Sequence, residues 1–274
     1  MPVDPLLRAT AVDAVLRAGA VQLQHFRRDV HVQRKTSSID LVTQVDVAVE
    51  REFRACIAER FPSHQVLGEE FSTEIGAEPA AGPCWVFDPL DGTTNYAHGL
   101  PIFCASLGLE IDGVAVLGAV YDATRGDLFV AERGQGATWN GVPIRVSRAQ
   151  RLGDAMLCTG FPYDIHQTRD DVVGLFSEFV GQARAVRRLG SAALDLCYVA
   201  AGWFDGFWEA RLKPWDTCAG ALIVEEAGGC VTRWDGSPYQ SRALGLVASN
   251  GGIHAAMLGV IAGFGARRAR QRTE

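Results

Sequence analysis

The chain has 274 residues, 48% of them hydrophobic and 21% charged, a composition that excludes disorder, collagen-like repetition and a coiled coil and suffices for one large core or two smaller ones. Its 26 basic and 32 acidic residues leave a net charge of −6, a poor match for a protein whose main partner is a nucleic-acid backbone. No apolar run approaches bilayer length, the start Met1-Pro2-Val3-Asp4-Pro5 lacks the regions of a signal peptide, and seven cysteines stand singly without a Cys-x-x-Cys, so a cytoplasmic protein without membrane span, disulfide framework or zinc site is expected.

Helical spacing predicts a first helix with Val12, Val15, Leu16, Gly19, Leu23 and Phe26 on its inner face. The polar Lys35-Thr36-Ser37-Ser38 follows as a loop. A second helix is predicted from about residue 46 to 61, with Val49, Phe53, Cys56, Ile57 and Phe61 inward and Pro62 stopping it. Residues 71–82 read as an exposed loop. The period then changes to that of strands at 84–87, 102–111, 114–121, 128–131 and 137–146, with turns at Asp112-Gly113, Arg125-Gly126-Asp127 and Asn140-Gly141. The first half, residues 1–150, is therefore α+β with a largely antiparallel sheet. The second, 151–274, alternates as α/β: strand 155–159, helix 170–185, a helix from Ser191, strand 206–209, helix 216–227 ended by Gly228-Gly229, strand 244–248 and helix 252–261. Arg267 to Arg272 reads as a basic, solvated end.

The most informative segment is Trp85-Val86-Phe87-Asp88-Pro89-Leu90-Asp91-Gly92-Thr93-Thr94-Asn95. An apolar strand runs into Asp88, Pro89 keeps the chain from turning helical, and Asp91 follows close behind. The Leu90 carbonyl between them has no obvious ladder partner, and Gly92-Thr93-Thr94 can open a helix with unpaired N–H groups. Carboxylate and carbonyl oxygens suit Mg²⁺, and a helix start beside them suits a phosphate. A plain turn in which both aspartates cap the chain fits the same letters. Three other acidic segments accompany this one: Asp40-Leu41-Val42-Thr43-Gln44-Val45-Asp46, Gly68-Glu69-Glu70 and Trp215-Asp216. Each has a bland alternative, namely a capping box at Thr43/Asp46, a solvated loop at Glu69/Glu70 and a dipole-favoured acid at Asp216. Coincidence of all four is the less economical reading. Neither the cysteines nor the six histidines show catalytic or metal-ligand spacing; His98 follows the Asp-Gly-Thr stretch and reads as a surface or structural residue.

These boxes, with Arg187-Arg188-Leu189-Gly190-Ser191-Ala192-Ala193 and the stretch through Glu209, resemble the inositol monophosphatase family of lithium-sensitive, magnesium-dependent phosphatases over about residues 12–261. The resemblance implies a layered α-β-α-β-α sandwich, a homodimer, and two or three Mg²⁺ per active site, with Li⁺ inhibiting where it replaces the second Mg²⁺. It implies Glu69, Asp88, the Leu90 carbonyl, Asp91 and Asp216 as metal ligands. Thr93 and Asp46, with Glu69, would position or activate the attacking water. Asp91, Asp216 and the Gly92 and Thr93 amides would face the phosphate and its leaving group, and Gly190, Ser191, Ala192 and Glu209 the alcohol. The family commonly carries Thr at the position of Ser191, which keeps the hydroxyl.

The expected reaction is hydrolysis of a small phosphate monoester, a phosphorylated polyol such as inositol 1-phosphate, by direct attack of water without a phosphoenzyme. Glu209 suits sugar-like hydroxyls, or else pairs with Arg211 or Lys213. Arg187, Arg188, Arg211 and Lys213 could receive a second phosphate, which keeps fructose 1,6-bisphosphate open; histidinol phosphate is a third substrate within the family. A non-catalytic role, as a partner of RNA polymerase or ribosome biogenesis, is the alternative from another class, with the net charge against nucleic acid as the main partner.

Overall fold

The structure is a computed structural model that describes residues 3–28, 32–34, 41–72 and 81–271. Helix α1, Pro5–His25, starts on Asp4, whose carboxylate accepts from the Leu6 amide at 2.8 Å, with Pro5 in the first turn. It lies close against the sheet: a Cβ on Gly19 would stand 2.5 Å from Tyr121. Small residues therefore face inward, Ala11, Ala18 and Gly19 beside Val15, while the predicted core residues Leu16 and Leu23 are exposed. Two short strands, β1 (Val32–Arg34) and β2 (Leu41–Thr43), pair antiparallel before α2, Gln44–Arg60. The capping box expected at Thr43/Asp46 opens α2. Val45, Val49, Phe53 and Ile57 are buried, but Cys56 and Phe61 only half so.

The large sheet holds seven strands in chain order: β3 (Gln65–Gly68), β4 (Pro83–Asp91), β5 (Cys104–Ile111), β6 (Val114–Asp122), β7 (Asp127–Glu132), β8 (Gly136–Trp139) and β9 (Val142–Pro143). β3 and β4 are parallel and every later pair is antiparallel. The short helix α3, Thr93–Ala97, interrupts the run after β4. Asp112-Gly113 and Asn140-Gly141 take positive φ at both positions, 51° and 77°, then 49° and 78°, as two-residue hairpin turns of right-handed sheets require. The second of these turns, expected at Asn140-Gly141, divides the stretch 137–146 into β8 and β9.

The smaller sheet is ordered β11-β10-β12-β14-β13, from β10 (Met156–Thr159), β11 (Ala185–Arg187), β12 (Gly206–Ala210), β13 (Cys230–Thr232) and β14 (Gly245–Ser249). β10 is parallel to β11 and β12, while β14 is antiparallel to β12 and β13. Between its strands run α4 (Ile165–Val180), α5 (Ala192–Ala200) and α6 (Pro214–Glu226), and α7 (His254–Gln271) follows. The cores show the layers. Helices α1 and α2 pack on one face of the large sheet, α5 and α6 fill the space between the two sheets, and α4 and α7 cover the outer face of the small one. This is the five-layer α-β-α-β-α order.

Helix α4 begins five residues before its expected start and ends earlier, because Ala185 already belongs to an edge strand. The basic end is not loose. Arg267 and Arg268 lie in α7 and pair with Glu178 at 2.7 Å and Asp171 at 2.6 Å; Arg272 lies outside the described residues. So do Lys35 to Ser38, Asp40 and all but the ends of the expected 71–82 loop. Among the described residues no helix is long and apolar enough to cross a membrane.

Candidate active site

Alternation along β4 decides where its acids point. Trp85 and Phe87 enter the core under α1 and α2, whereas Cys84 and Val86 pack against Trp215 and Cys218 of α6. Asp88 continues the second series and faces α6. In an unbroken strand a residue three positions on would face the other way. The ladder to β5, however, passes from Asp88↔Ser106 to Asp91↔Cys104, so β4 carries one extra residue in a bulge. The bulge turns Asp91 back to the same side. Its polar groups are all taken: Pro89 has no N–H, its carbonyl accepts from Gln22 Nε2 at 2.7 Å, the Leu90 amide donates to Asp88 Oδ1 at 2.9 Å, and the Leu90 carbonyl accepts from Thr93 Oγ1 at 2.9 Å.

Gly92 then starts α3 with φ at 99°, and a Cβ there would meet the Ile102 carbonyl oxygen at 2.8 Å. Only glycine meets both demands. Tyr96 ties α3 to α1 through its hydroxyl, which donates to the Gln22 carbonyl at 2.7 Å. Asn95 ties it to the second half, donating to the Leu189 carbonyl at 2.9 Å.

Asp46 closes the helix cap and also reaches Thr93. Oδ2 accepts from the Thr43 amide at 2.8 Å and hydroxyl at 2.5 Å, closing the helix cap, while Oδ1 stands 3.5 Å from Thr93 Oγ1. Asp91 reaches across to α5. Its Oδ2 accepts from Ser191 Oγ at 2.6 Å and from the Ala193 amide at 2.8 Å. A carboxylate from one sheet thus caps a helix that packs on the other. Gly190, at φ 92°, leads into this cap, and Ala192 is the first residue of the helix. Asp216 is in the first turn of α6, accepting from the Lys213 amide at 2.7 Å.

Glu69 follows β3, and its amide donates to the Phe87 carbonyl at 3.3 Å. The turn that carries it rests on Glu50, a residue without a sequence motif. Glu50 is fully buried, accepts from the Glu70 amide at 2.7 Å and from Arg54 at 2.8 Å, and leaves no room for a side chain at Gly68. The only sign of it in the sequence is the Glu50/Arg54 spacing on one helix face.

The four acids act on one another. Burial raises the Asp88 carboxyl well above the ordinary range, and the charges of Glu69, Asp91 and Asp216 raise it further. Asp91 is pushed up to about 6 by burial, against the lowering pull of Ser191 and the Ala193 amide. Asp216 rises through burial and then through Asp91. Glu209, on β12, is pushed up to about 8 by burial, with Arg188 as the opposing charge. Arg211 is not its partner, because that guanidinium pairs with Asp164.

Among the described residues no three acidic, histidine or cysteine side chains are close enough to make a finished metal cage. The donor set nevertheless fits a hard divalent ion. It is all oxygen, with Asp88 and Leu90 buried and Glu69, Asp91 and Asp216 half-buried beside them, and the strongest charges felt by Asp88 are those of three other carboxylates. A separate cavity of about 100 Å³ between α1 and α2, bordered by Thr10, Phe53 and Phe87, lies on the other face of the sheet and contains none of these acids.

A sequence profile of the inositol monophosphatase family matches residues 5–264. The chain belongs to the inositol monophosphatase family. This family member is 42% identical to an inositol-1-monophosphatase of Synechocystis over 89% of its own length and 84% of the relative's. It is also 40% identical to the Nus factor SuhB of Pseudomonas aeruginosa over 94% and 96%. Among solved structures, inositol monophosphatase from Anabaena superposes with a TM-score of 0.83 at 39% identity, covering 94% of this chain and 95% of that one. The suhB protein of Bartonella henselae gives 0.85 at 36% identity, covering 93% and 98%.

Proposed function

We infer that this family member is a phosphoric monoester hydrolase acting on a small phosphorylated polyol, with inositol 1-phosphate as the preferred substrate. The observation that carries the reading is the placement of Asp88, Asp91 and Asp216 around Glu69, whose charge adds to burial in raising each of the three carboxyls. Acids kept so close without a counter-charge are unfavourable unless cations join them. Glu69, Asp88, the Leu90 carbonyl, Asp91 and Asp216 would hold two or three Mg²⁺. When bound, the ions supply positive charge for the phosphoryl oxygens and the leaving alkoxide and lower the pKa of the attacking water.

The chain's own groups do the rest. Thr93 Oγ1, between Leu90 and Asp46, holds the water and takes its direction from the Asp46 carboxylate, with Glu69 as base. The amides of Gly92 and Thr93 hold phosphate oxygens in line. Gly190, Ser191, Ala192 and Glu209 receive the alcohol, and Asp216 lies beside the departing oxygen. Because Asp91 is bonded to Ser191 and Ala193, residues 1–150 and 151–274 work as one catalytic unit. A cytoplasmic homodimer, inhibited by Li⁺, accompanies this reading.

The test is phosphate release with Mg²⁺ from inositol 1-phosphate, fructose 1,6-bisphosphate and histidinol phosphate, repeated with a chelator and in ¹⁸O-labelled water. Inositol 1-phosphate should give the highest kcat/KM, with activity lost on chelation and one label in the released phosphate. Preference for the bisphosphate would move the assignment to that relative, and unlabelled phosphate would end the direct-attack mechanism. The 40% identity to a Nus factor supports a second reading, as a partner of the transcription machinery. The ion pairs that occupy Arg267 and Arg268 weaken the basic end as its docking device. Capture of RNA polymerase by the Asp88→Asn variant as well as by the wild type would establish that role apart from catalysis.

A further inference from the structure

The segment Gly160–Asp164, between β10 and α4, carries no motif and no assigned role, yet it is held across the alcohol side of the site at three points. At its start, Gly160 lies directly on Glu209: a Cβ there would stand 2.0 Å from Oε2. In the middle, Phe161 lies under the guanidinium of Arg188 at 5.7 Å, the same cation that opposes burial at Glu209. At its end, Asp164 is paired with Arg211 just beyond β12. Between these anchors stands Tyr163, which keeps 49% of its surface exposed. Its phenol is raised by burial and then by the charges of Glu69, Asp216, Asp91 and Asp88, so all four acids lie within electrostatic reach of it.

We propose that Gly160–Asp164 forms a fixed lip over the alcohol side of the site and that Tyr163 is a specificity-determining residue whose hydroxyl bonds to a ring hydroxyl of a polyol phosphate. The inference rests on the phosphatase reading and deepens it. A phenol both donates and accepts, which matches an alcohol group. An ordinary phenol is protonated at neutral pH and so remains a donor. The Glu209 carboxyl can accept as well, so the two groups together can grip neighbouring hydroxyls. The anchors at Glu209, Arg188 and Arg211 fix the lip before substrate arrives, which limits the entropy lost on binding.

The experiment compares wild type, Tyr163→Phe and Tyr163→Ala on inositol 1-phosphate and on p-nitrophenyl phosphate, which has no polyol. Removal of the hydroxyl should raise the KM for inositol 1-phosphate about tenfold more than the KM for p-nitrophenyl phosphate, the size of one lost hydrogen bond. Equal changes on both substrates, or none on either, would overturn the proposal. Calorimetric binding of inositol 1-phosphate with Ca²⁺ in place of Mg²⁺ separates the two levels of inference. If wild type binds but hydrolyses neither ester, the phosphatase reading falls, and weaker binding by Tyr163→Phe still supports the lip. Unchanged binding in that variant, or no binding by wild type, overturns it.

Discussion

At the residue scale the centre depends on acids that are costly to bury and on one hydroxyl held between two acceptors. Asp88→Asn removes a charge while keeping the Leu90 amide's acceptor. Such a variant should fold, by circular dichroism and melting, and lose about 10³-fold or more in kcat, because the loss falls on electrostatic stabilisation of the reaction. Near-normal turnover would remove Asp88 from the metal site. Thr93→Val keeps the shape of the side chain and deletes the bonds to Leu90 and Asp46. It should cost about 10²-fold in kcat with the KM nearly unchanged; a change confined to KM would make Thr93 a substrate contact instead. Both aspartates of the 88–91 stretch stood out in the sequence because their spacing forms a dense motif, whereas the part given to the Thr93 hydroxyl came from the family resemblance. Glu50 was not, since a lone acid on an amphipathic helix looks like any solvated face until Gly68 and the Glu70 amide are seen against it.

At the element scale, α6 brings Asp216 to the site only if its start stays fixed. Two contacts strap the 233–244 segment over it. Tyr239 donates to Thr217 Oγ1 at 2.5 Å, and Arg242 pairs with Glu110 of β5 at 2.8 Å, both partners nearly buried. Arg242→Met would leave Glu110 buried without its cation, a loss of about 3–5 kcal/mol, measurable by urea unfolding. The double variant Arg242→Met/Glu110→Gln should recover part of it; a single variant as stable as wild type would show that the pair is not a strap. Helices and hairpins were the readable elements, through caps at Thr43 and Gly228 and turns at Asn140-Gly141. The misreadings have one cause. Periodicity reports an apolar stripe, but α1 approaches the sheet so closely that alanine and glycine take the inner face and Leu16 and Leu23 turn outward. Strands of three residues, such as β11 and β13, are too short to show a period at all.

For the whole molecule, burial of the acids links stability to pH. Asp91 titrates at about 6 in the folded state against 3.8 when unperturbed, and Glu209 at about 8 against 4.5. The folded state therefore holds protons that the unfolded state has released. Their stabilisation is complete below the unperturbed values and is lost as pH rises, between 3.8 and about 6 for Asp91 and between 4.5 and about 8 for Glu209. Chelated protein should show this as a Tm that declines from pH 5 to pH 8, with Mg²⁺ raising Tm more at pH 8 than at pH 5. A Mg²⁺ effect independent of pH would dissociate the acids from the ions. The order of the layers was implied by family resemblance rather than by pattern. It is fixed by contacts far apart in the chain, above all by α5 and α6 serving both sheets, and no local window contains them.

The irregularity in β4 has a consequence for anyone who would improve this molecule. By the rules of good β structure, Pro89 is an error: it withholds a donor and sits in an interior strand. A redesign that repaired it, with valine for proline and one residue deleted, would produce a smoother sheet and erase the offset that lets two acids share a side. Sturdiness and usefulness are opposed at that single point, and a thermostability screen without an activity readout would select the wrong winner.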